Sequence, residues 1–160
     1  MKKLEKLTLK EIENEFLVIP EVQQQQLRGG DYGGYCVFSA MGQIGQQLGC
    51  GPSSFNDAAA GYGTAYGSTA LLQSWDGLSS DRTESYLKVY YNVTEISPSN
   101  YTQAGSHNAT MGILNVGSGG GHAVVMNGTC NGQYLHIDND GTLHAADSSQ
   151  FCVMYNVSCH

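Results

Sequence analysis

Three residues of this 160-residue chain have the types and spacing that covalent catalysis requires. Cys36 follows a glycine-rich turn, in the run Gly34-Tyr35-Cys36-Val37-Phe38-Ser39-Ala40, where a helix is expected to begin. The first N–H groups of a helix lack intrahelical partners and carry the positive end of its dipole, so a thiolate is stabilised there. A packed, inert cysteine or one half of a disulfide also fits that position. His122 opens the run His122-Ala123-Val124-Val125-Met126 directly after the glycine loop 117–121. The loop leaves room for a substrate, and a strand after it would fix the ring. Asp138 ends the run Gln133-Tyr134-Leu135-His136-Ile137-Asp138. If the two runs are neighbouring strands joined by the turn 129–132, the strand-start imidazole meets the strand-end carboxylate. A carboxylate behind an imidazole sets its tautomer and orientation, and the imidazole serves as base to a thiol.

The elements that would position these residues are legible in outline. Over 36–48, Val37, Met41, Ile44 and Leu48 form one helical stripe. Gly42 and Gly45 interrupt it at a cost of roughly 1 kcal/mol each in an exposed helix, so another element is expected to approach closely there. A second helix is expected over 69–78, with loop-like stretches at 49–68 and 97–109. Short apolar or alternating runs at 111–116, 122–128, 133–138 and 152–158 read as strands separated by Gly and Asn turns. Helices first and strands later predict an α+β domain, with the cysteine-bearing helix packed on a C-terminal antiparallel sheet.

Charge narrows the partners. Residues 1–30 carry balanced charge, whereas 31–160 hold only Arg82 and Lys88 against nine carboxylates, which accounts for the whole formal charge of −7. Two cations cannot neutralise a phosphate backbone or face an anionic lipid surface, so neither nucleic acid nor a membrane surface is an expected partner. No apolar run reaches the 18 or so residues of a membrane span. The histidines and acids show no tight ligand spacing, and neither a metal nor another cofactor is expected. His136 alternates with Leu135 and Ile137, which predicts a solvent-facing ring.

Five cysteines leave at least one outside any intramolecular disulfide. Cys36 has the context suited to reactivity, so Cys50, Cys130, Cys152 and Cys159 are the disulfide candidates. A Cys152–Cys159 bridge would close a short terminal loop and leave Cys50–Cys130 as the long-range link.

The first thirty residues differ in kind from the rest. Leu4, Leu7, Ile12 and Phe16 recur at roughly helical spacing, followed by Pro20, four glutamines and the pair Gly29-Gly30. An amphipathic helix packed on the domain is one reading; a secretory signal peptide, which needs a continuous apolar core, is not. The segment resembles the double-glycine leaders of bacteriocin and natural-product precursors. In that family, anchors lie four, seven, twelve and fifteen residues before the cut. Those places hold Leu27, Gln24, Ile19 and Phe16 here, three of the four apolar, with Gly29 and Gly30 at the cut. The resemblance implies a leader over 1–30, a domain over 31–160, a leader-processing ABC transporter as partner, and a secreted or periplasmic mature protein.

The domain itself resembles papain-like cysteine peptidases, most of all the peptidase domains of bacteriocin-processing ABC transporters. The residues that carry the resemblance are "GYCVFSA" (34–40), "GGHAVVMNG" (120–128), "YLHIDNDG" (134–141) and Phe151 before the final strand. It covers most of 31–158, with 49–109 matched by element order alone. It implies a papain-like fold, a peptide or protein substrate, and a triad of Cys36, His122 and Asp138. One family feature is absent: Gly30 stands where a glutamine usually lends an oxyanion donor, and the nearest upstream glutamine is Gln26. The same triad permits hydrolysis or acyl transfer to an amine. The rival from another class is a non-catalytic, disulfide-stapled, bacteriocin-like effector on a papain-like scaffold.

Overall fold

The structure is a computed structural model that describes residues 35–67, 78–116 and 121–160. The leader positions Phe16, Ile19, Leu27, Gly29 and Gly30, and nearly all of the helix expected over 69–78, lie outside the described residues. In chain order come α1 (Tyr35–Leu48), α2 (Phe55–Tyr66), α3 (Ser80–Leu87), β1 (Tyr91–Ile96), β2 (Asn108–Asn115), β3 (Gly121–Cys130), β4 (Gln133–Ile137), β5 (Leu143–Ala146) and β6 (Phe151–Cys159). The strands form one antiparallel sheet in the order β1-β6-β2-β3-β4-β5. Mixed α+β architecture follows, with helices first and strands after.

α1 begins one residue before the expected helix and is buried along most of its length. Its glycines are explained by close approach. A Cβ on Gly42 would lie 2.6 Å from the Ser54 carbonyl carbon, and one on Gly45 would land on the Pro52 carbonyl. The helix stops at Gly49, whose φ of +72° suits glycine and whose N–H bonds back to the Gly45 carbonyl. α2 lies inside the stretch 49–68 that reads as loop. Its ends carry ordinary stop signals: the Ser54 hydroxyl accepts from the Asp57 N–H, and Gly67 closes it in the left-handed region. Tertiary contact supplies the rest. Tyr62 is buried between Phe38 of α1 and Tyr86 of α3, with ring centroids 5.4 and 5.0 Å away. Aromatic burial of this kind outweighs the weak helix propensity of Gly61 and Gly63.

One face of the sheet packs on α1 through Met111, Ile113, Ala123 and Val125. The other face carries a smaller cluster of Tyr101, Val124, Met126, Ala146, Phe151 and Met154. Tyr134 fastens the cover of that second face by donating to the Pro98 carbonyl at 2.6 Å. His136 belongs with this covered face. The sequence predicts a solvent-facing ring, but His136 is 5% exposed, stacked on His144 and edge-on to Phe151. Alternation put it on the side away from Leu135 and Ile137 correctly; the covering by Phe151 is what makes that side dry.

The cysteine pairing differs from the expected one. The disulfide joins Cys50 to Cys159, while Cys130 and Cys152 are exposed thiols. Sheet order is the reason. β6 runs between β1 and β2, so its last residue reaches the end of α1, and Cys50 and Cys159 come within 6.1 Å between Cα atoms. Cys130 ends β3 whereas Cys152 begins β6; the pairing of both strands with β2 sets these two at opposite ends of the sheet. Among the described residues no helix is long and apolar enough to cross a membrane.

Candidate active site

Cys36 is the second residue of α1 and is 5% exposed. The helix packs on β2 and β3, and β3 begins with Gly121 and His122. β4 then returns along β3 through the turn Asn131-Gly132, both residues with positive φ. This is the two-residue turn that Asn-Gly favours in a hairpin.

The register of that hairpin is adjusted once. Cys130 faces Gln133 and Gly128 faces Leu135, but Met126 faces His136, so β3 holds one extra residue between Met126 and Gly128. Gly128, at φ +116°, sits at the irregularity, and its N–H donates to the Tyr101 hydroxyl at 3.1 Å. A one-residue shift reverses the side on which every later residue lies. Continued past Ile137, the shifted register gives Asp138 the parity of Val124 and His122; without the bulge it would have that of Ala123. The bulge therefore lets the two side chains meet.

They do so directly: His122 Nε2 and Asp138 Oδ1 are 2.8 Å apart. The Nε2–H donates to the carboxylate, which leaves Nδ1 for a second partner, and the ring also hydrogen-bonds with the Cys36 thiol. Burial pushes the imidazole pKa down, but the hydrogen bonds and charges of Cys36 and Asp138 together outweigh it and raise the value to about 9. The protonated ring is thus the favoured form at neutral pH. His136 moves the other way. Burial first, then the neighbouring His144, hold it below its ordinary value, and its Nδ1 has no partner among the described residues.

Two contacts to the 138–139 turn escape the sequence reading. Gln43 Nε2 donates to the Asp138 carbonyl at 2.8 Å, and Ser39 Oγ to the Asn139 carbonyl at 3.4 Å. Both lie on the stripe of α1 that begins at Cys36, at i+3 and i+7, and that spacing in a buried helix was the available signal. All three sequence-predicted residues, Cys36, His122 and Asp138, are brought together. The disulfide candidates Cys130 and Cys152 are not. No group of three His, Cys, Asp or Glu side chains among the described residues is arranged to hold a metal ion. The chain matches no protein-family model and no curated protein.

Proposed function

We propose that residues 31–160 form a papain-like cysteine hydrolase, a peptidase or amidase, exported after removal of the leader 1–30. The observation that carries this reading is the chain of contacts Cys36–His122–Asp138, with the imidazole bonded to the thiol on one side and to the carboxylate on the other. A structural histidine needs one partner; one aligned between a buried thiol and a carboxylate has the geometry of an activated nucleophile.

The Cys36 sulfur attacks the carbonyl carbon of a peptide or amide. Its backbone N–H, in the first turn of α1, donates to the oxygen that becomes negative. The His122 imidazolium gives its proton to the leaving amine, and an acyl-thioester remains on Cys36. Water then attacks the acyl carbon as His122 takes its proton, and collapse releases the acid and restores the thiol. Asp138 keeps the ring aligned and favours its charged form throughout. The Cys50–Cys159 disulfide agrees with an oxidising compartment, and the pair Gly29-Gly30 with maturation by a leader-processing transporter.

The test is labelling of the mature domain with a thiol-directed acyl probe, together with turnover of a peptide library. Cys36→Ala and His122→Ala are each expected to abolish turnover, and His122→Ala the labelling that maps to Cys36, while leaving the circular dichroism spectrum unchanged. Turnover that persists in Cys36→Ala, or no labelling at Cys36 in the wild type, overturns the proposal and leaves the stapled effector as the reading.

A further inference from the structure

We infer that Gln43 is a positioning residue that fixes Asp138, and through it the His122 ring, to the same helix that carries Cys36. The inference rests on the triad reading above and adds a residue to it.

Asp138 stands just past the end of β4, where ladder pairing with β3 has stopped at Ile137. The turn that follows is held by its own short-range bonds, Asp138 N–H to the Thr142 carbonyl and Gly141 N–H to the Asp138 carbonyl, both 2.9 Å. These shape the turn but do not fix it relative to α1. Gln43 does. Its amide crosses 95 residues of sequence to donate to the Asp138 carbonyl at 2.8 Å. Seven residues separate Gln43 from Cys36, two helical turns on one stripe, so nucleophile and anchor share one rigid frame. One turn nearer the cysteine, Ser39 makes the longer contact to Asn139.

The Asp138 carboxylate also accepts from the Asn139 N–H, at 2.5 Å, besides the His122 ring. Moving the 138–139 backbone therefore moves both donors' target. Donation matters at position 43, not size: the Gln43 Oε1 is buried with no partner among the described residues, so the N–H is the half of the amide in use. An isosteric side chain without N–H would keep the packing and lose the tether.

Gln43→Met removes the donor at nearly constant volume, and Gln43→Glu replaces it with a carboxylate facing a carbonyl. Two quantities are measured in each variant, in Asp138→Ala, in His122→Ala and in the double variant Gln43→Met/Asp138→Ala. One is the rate of Cys36 alkylation by iodoacetamide at pH 6. The other, in variants that retain the ring, is the NMR titration midpoint of His122. Loss of one hydrogen bond predicts about a tenfold slower alkylation in Gln43→Met. The midpoint should fall from about 9 toward the ordinary 6.5, with melting temperature nearly unchanged. Gln43→Glu should lose at least as much. Because Gln43 acts through Asp138, the double variant should match Asp138→Ala in both quantities, a coincidence that general destabilisation would not produce. Wild-type values in Gln43→Met, or losses that simply add to those of Asp138→Ala, overturn the inference. If the wild type alkylates no faster than His122→Ala, the triad reading fails instead, and the His122 midpoints alone decide the role of Gln43.

Discussion

The two ends of α1 are fastened to the rest of the molecule in different ways. At its C-terminal end the attachment is close-packed and covalent: Gly45 admits the Pro52 backbone, and Cys50, just beyond the helix, is bonded to Cys159 at the end of β6. From its N-terminal end as far as Gln43, polar contacts are added to the apolar packing of Val37 and Phe38. Cys36, Ser39 and Gln43 meet His122 and the 138–139 turn through hydrogen bonds. A disulfide stabilises mainly by restricting the unfolded chain, and it does so wherever it sits. Polar groups taken out of water stabilise little and cost much if one partner is lost. The covalent link thus lies at one end of α1, and the buried thiol, the imidazole and the carboxylate lie toward the other.

The largest effect that would sharpen this contrast lies in the disulfide. Cys50→Ser/Cys159→Ser opens a link that spans 109 residues, and chain entropy predicts a loss of about 4 kcal/mol of stability. Measured by denaturant unfolding, that loss should appear with no change in Cys36 alkylation at temperatures where the domain stays folded. A parallel fall in reactivity would show that the two ends are not independent.

At the polar end the ordering should invert, with small stability changes and large changes in rate. Asp138→Ala is expected to slow acylation about a hundredfold, and Asp138→Asn, whose amide oxygen still orients the ring, less than that. Rates that track melting temperature across the pair would mark Asp138 as structural.

A smaller effect concerns pH. The folded pKa of His122, about 9, lies above the free imidazole value of 6.5. The stability it contributes is thus fully present below about pH 6.5 and is lost as pH rises through about 9. The melting-temperature gap between wild type and His122→Gln should narrow over that window; a gap that widens would contradict the raised value.

How much of this was legible beforehand depended on whether the signal was local. Val37, Met41, Ile44 and Leu48 announce α1, and the alternating runs place β2, β3, β4 and β6, because each pattern lies within one element. The triad was legible because its three members sit at element ends marked by glycine or Asn-Gly turns. α2 was not, since Gly61 and Gly63 read as loop while Tyr62 is held by rings of α1 and α3. α3 and β1 were not anticipated, and β5 is four residues long. The disulfide pairing depended on β6 lying between β1 and β2, which no local pattern encodes. The bulge that brings Asp138 to His122 likewise involves a distant residue, since the Gly128 N–H at the irregularity donates to the Tyr101 hydroxyl.

The most direct test of the account uses the cysteines of the domain against one another. Cys130 and Cys152 are exposed thiols, whereas Cys36 is buried. Accessibility alone orders their reactivity with Cys36 slowest. The triad reverses that order, because the His122 ring beside Cys36 serves it as base. Iodoacetamide alkylation at pH 6, followed by peptide mass mapping over time, gives all three rates in one sample. Cys36 is expected to alkylate faster than Cys130 and Cys152 in the wild type and slower than both in His122→Ala. Alkylation of Cys36 slower than the exposed pair in the wild type would contradict the triad reading and mark Cys36 as a packing residue.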